Sequence, residues 1–74
     1  MQGGVYMRQW LVELRNQQNI SQQKTAELSG ISQSYYASIE MGTRGKPLNA
    51  NIAKKIAETL DFDWTIFYDE GIKA

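Results

Sequence analysis

Apolar residues in the first third of the chain recur at the spacing of one helical face. The positions i, i+3, i+4 and i+7 are occupied by Met7, Trp10, Leu11 and Leu14. This spacing predicts an amphipathic first helix over about residues 5–18, with its apolar face turned towards a core. Asn19 is expected to end this helix.

A second, short helix is predicted over about residues 22–29. Ser21 stands directly before it, where a serine side chain can accept a hydrogen bond from a free backbone N–H of the first turn. Gly30 follows it, where a helix commonly ends in a left-handed residue. The inward side carries only small groups, Thr25 and Ala26, so this helix can pack closely against a neighbour.

A third helix over about residues 33–41 repeats the same arrangement. Ser32 is its predicted N-cap and Gly42 its predicted end. Tyr36 and Ile39 fall on its inner face. The residues after it, GTRGKP from Gly42 to Pro47, hold two glycines, a proline and two cations, and predict a loop; we call residues 42–47 the basic segment.

The last third of the chain predicts two more helices. Asn49 or Asn51 is expected to cap a fourth helix, and Asp63 a short fifth one. The inward residues of the fourth helix are Ile52, Ala53, Ile56, Ala57 and Leu60. The apolar residues of the fifth are Trp64, Phe67 and Tyr68.

The predicted architecture is all-α, with five short helices around one core. No segment alternates apolar and polar residues over a sustained length, so no strand is predicted. A chain of 74 residues has room for one domain. We expect that domain over residues 5–70, with a flexible lead at 1–4 and a frayed tail at 71–74.

The composition removes several kinds of chemistry. The chain has no cysteine and no histidine, so disulfides, thiol nucleophiles, Cys/His zinc sites and imidazole acid–base catalysis are excluded. Glu13 and Glu40 are isolated carboxylates on a domain too small for a sizeable substrate pocket. We therefore expect no enzyme, no cofactor, no metal site and no small-molecule ligand.

The location of the protein is inferred from what its sequence lacks. No apolar run approaches the roughly 20 residues that span a bilayer. The start, MQGGVYMRQW, also lacks the pattern of a secretion signal. The expectation is a cytoplasmic protein that does not contact a membrane.

Charge is unevenly distributed along a chain whose net charge is zero. Residues 1–60 hold seven cations against four anions, a net +3, and residues 61–74 hold one cation against four anions, a net −3. One end of the molecule could therefore approach phosphates while the other stays away from them. The alternative is solvated charge without a role.

Residues 21–42, SQQKTAELSGISQSYYASIEMG, carry the strongest functional signal. Two short helices joined by a tight glycine turn, with small residues between them, predict a helix-turn-helix unit. The outer face of the second helix, here called the reading face, consists of Gln33, Ser34, Ala37 and Ser38. Such compact hydrogen-bonding groups suit the major groove of DNA. The alternative is a capped polar helix in a bundle that binds nothing.

This region resembles the Cro/C1-type helix-turn-helix family, the DNA-binding domains of lambdoid phage repressors and their bacterial relatives. The resemblance covers about residues 7–68, and its spacing agrees with the family pattern without a gap. It is carried by Arg15, Ser21–Gln22, Ala26, Gly30–Ile31–Ser32, Ile39–Glu40, Gly42 and Pro47. The ending KKIAETLDFDWTIFYDE is similar to small regulators of phages and mobile elements in low-GC Gram-positive bacteria. The resemblance implies a lambda repressor-like fold and binding to double-stranded operator DNA.

The resemblance also implies roles for single residues. Gln33 and Ser34, with Ala37 and Ser38 one turn on, would contact base edges, and Gln22 would contact a phosphate and brace the next glutamine. Arg15 and Glu40 would form a structural pair that ties the first helix to the end of the third. The residues expected at the DNA backbone, besides Gln22, are Tyr35, Thr43, Arg44 and Lys46.

Two departures from the family pattern carry expectations of their own. Thr25 stands where the family usually has a larger aliphatic residue, which favours looser packing of the second helix. Tyr35 is bulkier than the residue often found at its position, and its ring either stacks on the sugar–phosphate edge of DNA or shields the helix. No arginine lies on the reading face, so the bases in the centre of each half-site should lean towards A·T.

The predicted function is that of a transcriptional regulator, a repressor of phage or mobile-element type that binds its operator as a homodimer. One recognition helix reads about four to five base pairs, which is too few to specify a site. The candidate dimer contacts are Trp64, Tyr68 and Ile72, although Trp64 could equally belong to the core. An alternative function is a protein–protein adaptor or antitoxin-like component on the same fold, using the aromatic and acidic end.

Overall fold

The computed structural model describes residues 7–43 and 48–69 and contains only helices in these ranges. The helices are α1 (Gln9–Gln17), α2 (Gln22–Ser29), α3 (Gln33–Met41), α4 (Ala50–Leu60) and α5 (Ile66–Asp69). The prediction of an all-α fold with five short helices is confirmed. The predicted lead at residues 1–4 and the predicted tail at 71–74 lie outside the described residues.

Three helices begin at the capping residues that the sequence predicts. The Ser21 side chain accepts a hydrogen bond from the backbone N–H of Lys24, and the Ser32 side chain from that of Tyr35. Of the two asparagines predicted to cap α4, Asn49 is the observed cap. Its Oδ1 accepts hydrogen bonds from the backbone N–H groups of Asn51 and Ile52, at 2.8 and 3.4 Å. Each cap satisfies donors that the helix itself leaves unpaired.

Four helix ends use the left-handed region of backbone conformation. Gly30 and Gly42 have φ values of 74° and 79°, as their positions predict. Asn19 has φ 54° and Asp61 has φ 61°, although both carry a side chain. A side chain in this conformation places its Cβ close to the following carbonyl oxygen, which costs about 1–2 kcal/mol for most residues other than glycine.

These ends give a paired stability prediction. Gly30→Ala is expected to lower the free energy of unfolding by about 1 kcal/mol, because alanine is strained in the left-handed conformation. Steric overlap adds nothing to this cost, since the new Cβ would meet only the flexible Lys55 Nζ, at 3.8 Å. Asn19→Gly is the matched control, since it places a glycine in the same conformation and should leave stability unchanged or slightly higher. Urea unfolding measures both. Equal losses from the two changes would contradict a conformational origin.

The core lies between all five helices. Its buried apolar residues are Leu11, Ala26, Tyr36, Ile39, Leu48, Ala53, Ile56, Ala57, Leu60 and Phe67. At one end of the core, the ring centroids of Trp10, Phe62 and Phe67 lie 5.1–5.7 Å apart in edge and tilted arrangements. Such geometry adds to the stabilisation that burial of these large rings provides. α2 packs against both α3 and α4, and α1 packs against α3.

The prediction for the start of α1 is wrong. Met7 was expected on the inner face, but it precedes the helix and is 49% exposed, and α1 begins at Gln9 rather than near residue 5. Arg8 is buried instead, at 2% exposure. Its backbone N–H donates to the carbonyl of Glu40 and its Nη1 to that of Ile39, at 2.8 and 2.7 Å. These bonds satisfy carbonyls at the end of α3, a requirement that hydrophobic spacing does not reveal.

Arg8 also contacts the aromatic end of the core. Its guanidinium carbon lies 5.5 Å from the centroid of the Phe67 ring, within the range of a cation–π contact. Arg8 thereby joins the end of α3 to α5 across the start of α1. A buried arginine was not anticipated from the sequence, because an isolated cation in an apolar pattern carries no local signal of burial.

Two further details of the fold differ from the expectations. Trp64 precedes α5 rather than lying in it, because the Oδ1 atom of Asp63 accepts from the N–H and hydroxyl of Thr65 and holds a turn before the helix. Thr25, where looser packing was expected, is fully buried, and its hydroxyl donates to the Ser21 carbonyl at 2.8 Å.

Candidate nucleic-acid interface

α2 and α3 form a helix-turn-helix unit. At the turn, the N–H of Gly30 donates to the Glu27 carbonyl at 3.2 Å and the N–H of Ile31 to the Ala26 carbonyl at 3.0 Å. These bonds close the end of α2 and direct the chain into the Ser32 cap of α3. Ala26 is 1% exposed on the inner side of α2, so the second helix crosses the first at short range.

The reading face is exposed at its beginning and partly covered further on. Gln33 and Ser34, in the first turn of α3, are exposed, whereas Ala37 and Ser38 are half-buried. The Ser38 hydroxyl donates to the Tyr35 carbonyl at 2.7 Å, so its proton is used within the helix and its oxygen can still accept. The first turn of α3 therefore presents the most accessible hydrogen-bonding groups of the reading face.

The residues predicted at the DNA backbone fall into three groups. Tyr35 is half-buried and packs against the core, which favours the shielding role over free stacking on DNA. Thr43 is exposed, and its N–H and hydroxyl both donate to the Ser38 carbonyl, at 3.1 and 3.3 Å. Arg44 and Lys46 lie outside the described residues, as does the candidate dimer residue Ile72.

Arg15 and Glu40 are joined by a bidentate ion pair. Arg15 Nε lies 2.6 Å from Glu40 Oε2, and Arg15 Nη2 lies 3.3 Å from Oε1. Glu40 is 2% exposed, so water screens this pair only slightly. Arg15 Nη1 also donates to the carbonyl of Ile20 at 3.1 Å, which ties the loop after α1 to the same group.

Gln22 belongs to the same cluster, which the sequence did not predict. Its Nε2 donates to Glu40 Oε1 at 2.8 Å. The expected brace between Gln22 and Gln33 is absent from the hydrogen bonds of the described residues, and Glu40 takes its place. Since an ionised carboxylate only accepts hydrogen bonds, this contact requires that the amide nitrogen of Gln22 face inwards.

Tyr36 completes this group, which we call the polar cluster: Arg15, Gln22, Tyr36 and Glu40. The buried Tyr36 hydroxyl makes no hydrogen bond of normal geometry with any described residue. Its pKa is raised, mainly because the phenol is buried and also because the Glu40 carboxylate lies beside it. Burial alone would raise the pKa of Glu40, but the hydrogen bonds from Arg15 and Gln22 outweigh it and the pKa is lowered. The Glu40 hydrogen bond raises the pKa of Arg15, although burial opposes it. The cluster therefore holds an ionised pair.

The candidate dimer residues are partly engaged inside the domain. Trp64 is half-buried, with Lys54 Nζ 4.9 Å from its ring centroid and the Tyr68 ring edge-on at 5.7 Å. Tyr68 is 38% exposed, but its hydroxyl donates to the backbone carbonyl of Leu48. The sequence carries no signal for this bond, because its two ends are twenty residues apart.

Other kinds of site find little support in the described ranges. Residues 7–43 and 48–69 contain no group of three or more His, Cys, Asp or Glu side chains that could hold a metal ion. Within the same ranges, no helix combines the length and the hydrophobicity that crossing a bilayer requires.

Comparisons with known proteins agree with the geometry. Residues 11–67 match the helix-turn-helix family model HTH_3, a range that includes all of α2, α3 and α4. An uncharacterized HTH-type transcriptional regulator of Bacillus subtilis (strain 168), YqaF, is 44% identical over 64 residues, which cover 86% of this chain and 82% of that protein. The chain therefore belongs to the Cro/C1-type helix-turn-helix family of DNA-binding transcription regulators.

Proposed function

We propose that the protein is a sequence-specific transcriptional repressor that inserts α3 into the major groove of an operator. The observation that carries the proposal is the exposure of Gln33 and Ser34 in the first turn of α3, within a helix-turn-helix unit of this family. In such units the amino-terminal residues of the second helix contact base edges. Repression would follow from occupancy of the operator, without a catalytic step.

The chemistry of the reading face favours A·T pairs. A glutamine amide can pair with the N6 and N7 atoms of adenine, and serine can donate to or accept from several base edges. α3, with the sequence QSYYASIEM, contains no arginine or lysine that could contact guanine in the commonest way. The centre of each half-site should accordingly be rich in A·T.

Backbone contacts would come from around the reading face. Gln22, held by Glu40, retains a carbonyl oxygen and a second N–H beside that bond. Thr43 lies in the basic segment, two residues after the end of α3. The cations of this segment are Arg44 and Lys46. Contacts of this kind set the register on DNA rather than the sequence preference.

A homodimer would contact two half-sites on DNA and would therefore read a longer sequence than one recognition helix can. Two half-sites about one helical turn apart match the two-fold symmetry of such dimers. Trp64, Tyr68 and Ile72 remain the proposed contacts, with the exposed ring of Tyr68 rather than its hydroxyl available to a partner.

Selection of the purified chain on a random duplex library at about physiological salt tests the proposal. Recovery of an inverted repeat with A·T-rich half-site centres is the expected outcome. An unenriched pool would reject sequence-specific binding and favour the adaptor or antitoxin-like function. Guanines dominating the positions opposite α3 would reject the assignment of the reading face.

Gln33→Ala removes one base contact from each half-site, and at about 1–3 kcal/mol for each contact the operator affinity of the dimer is expected to fall by about 30-fold or more. The loss should occur only on operators that carry the preferred base at one position of each half-site. The midpoint of thermal unfolding should stay unchanged, because the Gln33 side chain is exposed. Gln17→Ala, an exposed glutamine at the end of α1, is the matched control and should bind normally. An equal loss on all sequences would instead make Gln33 a backbone contact.

A further inference from the structure

The hydroxyl proton of Ser38 is already used within α3. It is donated to the Tyr35 carbonyl, three residues earlier, at 2.7 Å. A serine hydroxyl has one proton and two lone pairs, so the Ser38 oxygen can still accept a hydrogen bond but has no second proton to donate. In the folded helix Ser38 therefore contributes an acceptor to the reading face.

The backbone that carries Ser38 is also fixed. Its carbonyl accepts hydrogen bonds from the N–H and the hydroxyl of Thr43, at 3.1 and 3.3 Å, at the end of α3. The Ser38 side chain is half-buried. To donate to a ligand, the hydroxyl would have to rotate away from Tyr35 and give up that bond, which is worth about fivefold in an equilibrium constant.

Ser34 provides a contrast on the same face. It lies one turn earlier and is exposed, and its hydroxyl makes no hydrogen bond with any described residue. Its proton can point towards an acceptor, and its lone pairs can point towards a donor. The two serines therefore differ in what they can recognise, although their side chains are identical.

We propose that Ser38 is a specificity-determining residue that accepts a hydrogen bond from the exocyclic amino group of a base. It would select adenine or cytosine on the strand that it contacts, at one position of each half-site. The proposal rests on the proposed function, in which α3 lies in the major groove. There the donors on base edges are the N6 amino group of adenine and the N4 amino group of cytosine, whereas guanine and thymine offer acceptors. Those acceptors would face the lone pairs of the Ser38 oxygen.

The neighbours of Ser38 allow the close approach that a short side chain requires. After Gln33, the reading face holds only Ser34, Ala37 and Ser38. None of these has a long side chain that would keep the backbone of α3 away from the base edges. The helix can therefore lie near the floor of the groove, within reach of the Ser38 oxygen.

Binding of the wild type and of Ser38→Ala to base-substituted operators, measured by fluorescence anisotropy, tests the proposal. Each position of one half-site is varied while the other half-site is kept, and the position where only the wild type discriminates identifies the contact. There the wild type should bind adenine or cytosine about fivefold more tightly than guanine or thymine. Ser38→Ala should bind the four bases within about twofold of one another.

Removal of the amino group alone makes the test more specific. In one half-site the selected base is replaced by its analogue without that group, which is purine for adenine and pyrimidinone for cytosine. The wild type should lose about fivefold more affinity than Ser38→Ala does. Any weakening of the base pair acts on both proteins equally, so the difference between the two losses isolates the contact.

Ser34→Ala is the matched control. It also removes one hydroxyl from the reading face and should lower affinity through its own contact, but it should keep the full dependence on the amino group. Ser38→Ala is expected to fold, because alanine favours a helix more than serine does. Thermal unfolding of each variant establishes that the compared proteins are folded.

Three results would overturn the proposal. The first is a preference for guanine or thymine at the position where Ser38→Ala loses discrimination. The second is discrimination that Ser38→Ala leaves unchanged at every position, and the third is an equal loss of affinity in both proteins when the amino group is removed. Specific binding by the wild type would leave the proposed function intact in each case. Failure of the wild type to bind any duplex specifically would reject both.

Discussion

Glu40→Ala is expected to lower the free energy of unfolding by about 3 kcal/mol, the largest stability loss we anticipate from a single change. Glu40 is 2% exposed and accepts hydrogen bonds from Arg15 and Gln22. Its removal would leave the Arg15 guanidinium without its carboxylate partner in a site that water reaches poorly, with only the Ile20 carbonyl as a remaining acceptor. Since a domain of this size has a stability of about 5 kcal/mol, much of the population would unfold on mild heating.

Glu27→Ala is the matched control for this loss. Glu27 pairs with Lys24 at 3.7 Å, but both side chains are about 60% exposed, at 61% and 59%. An exposed pair of this kind is worth about 0.5 kcal/mol or less. Urea unfolding at neutral pH should therefore separate the two variants clearly, and similar losses would contradict the dominant role of burial.

The same carboxylate should also produce a pH dependence. Because the folded state lowers the pKa of Glu40 from its ordinary value of 4.5, its ionised form stabilises the fold above that value, and the contribution is lost as the pH falls through the folded-state pKa. The stability difference between the wild type and Glu40→Gln should thus be constant near neutral pH and shrink in acid. A difference that does not change with pH would mean that the charge of Glu40 is not the stabilising feature.

Operator affinity is expected to fall roughly 100-fold when salt rises from about 50 to about 200 mM. Two cation–phosphate contacts in each of two half-sites, from Arg44 and Lys46, would release about four counterions, and the slope of log K against log salt would be about −3.6. The net charge of zero does not oppose this, because four of the eight anions lie after residue 60. Binding to unrelated duplexes should be modest, because the net charge of the whole chain is zero.

The combined variant Arg44→Ala and Lys46→Ala is expected to remove most of this dependence. Lys54→Ala is the control, since Lys54 lies over the Trp64 ring and its charge is engaged within the domain. Its slope should match the wild type. A slope that survives loss of both loop cations would move the phosphate contacts to other residues, and a flat slope in the wild type would argue against binding through the DNA backbone.

Local signals determined the helices of this protein. Ser21 and Ser32 bind N–H groups only three residues away, and Gly30 and Gly42 end their helices through the conformation of one residue. Such interactions depend on the neighbouring chain and little on the rest of the fold, so they can be predicted from a short stretch of sequence. Helical spacing likewise identified most of the core, because a helix exposes the same face wherever it packs.

The family and the residues of the reading face could also be inferred from the sequence. The motif from Gln22 to Gly42 has a fixed spacing, and its two helices place Gln33 and Ser34 on the outer side of α3. The match to HTH_3 agrees with the inferred family. The exposure of each reading residue, however, differs along α3, and the use of the Ser38 hydroxyl within the helix became visible only in the fold.

Helices, caps, most of the core, the family and the Arg15–Glu40 pair could thus be predicted from the sequence, whereas several other contacts between distant polar groups became visible only in the folded chain. Arg8 to Ile39, Gln22 to Glu40 and Tyr68 to Leu48 are bonds between residues 31, 18 and 20 positions apart. Their formation depends on how the helices cross, and no local pattern encodes that. Burial then gives these bonds their importance, because a polar group removed from water must find a partner within the protein.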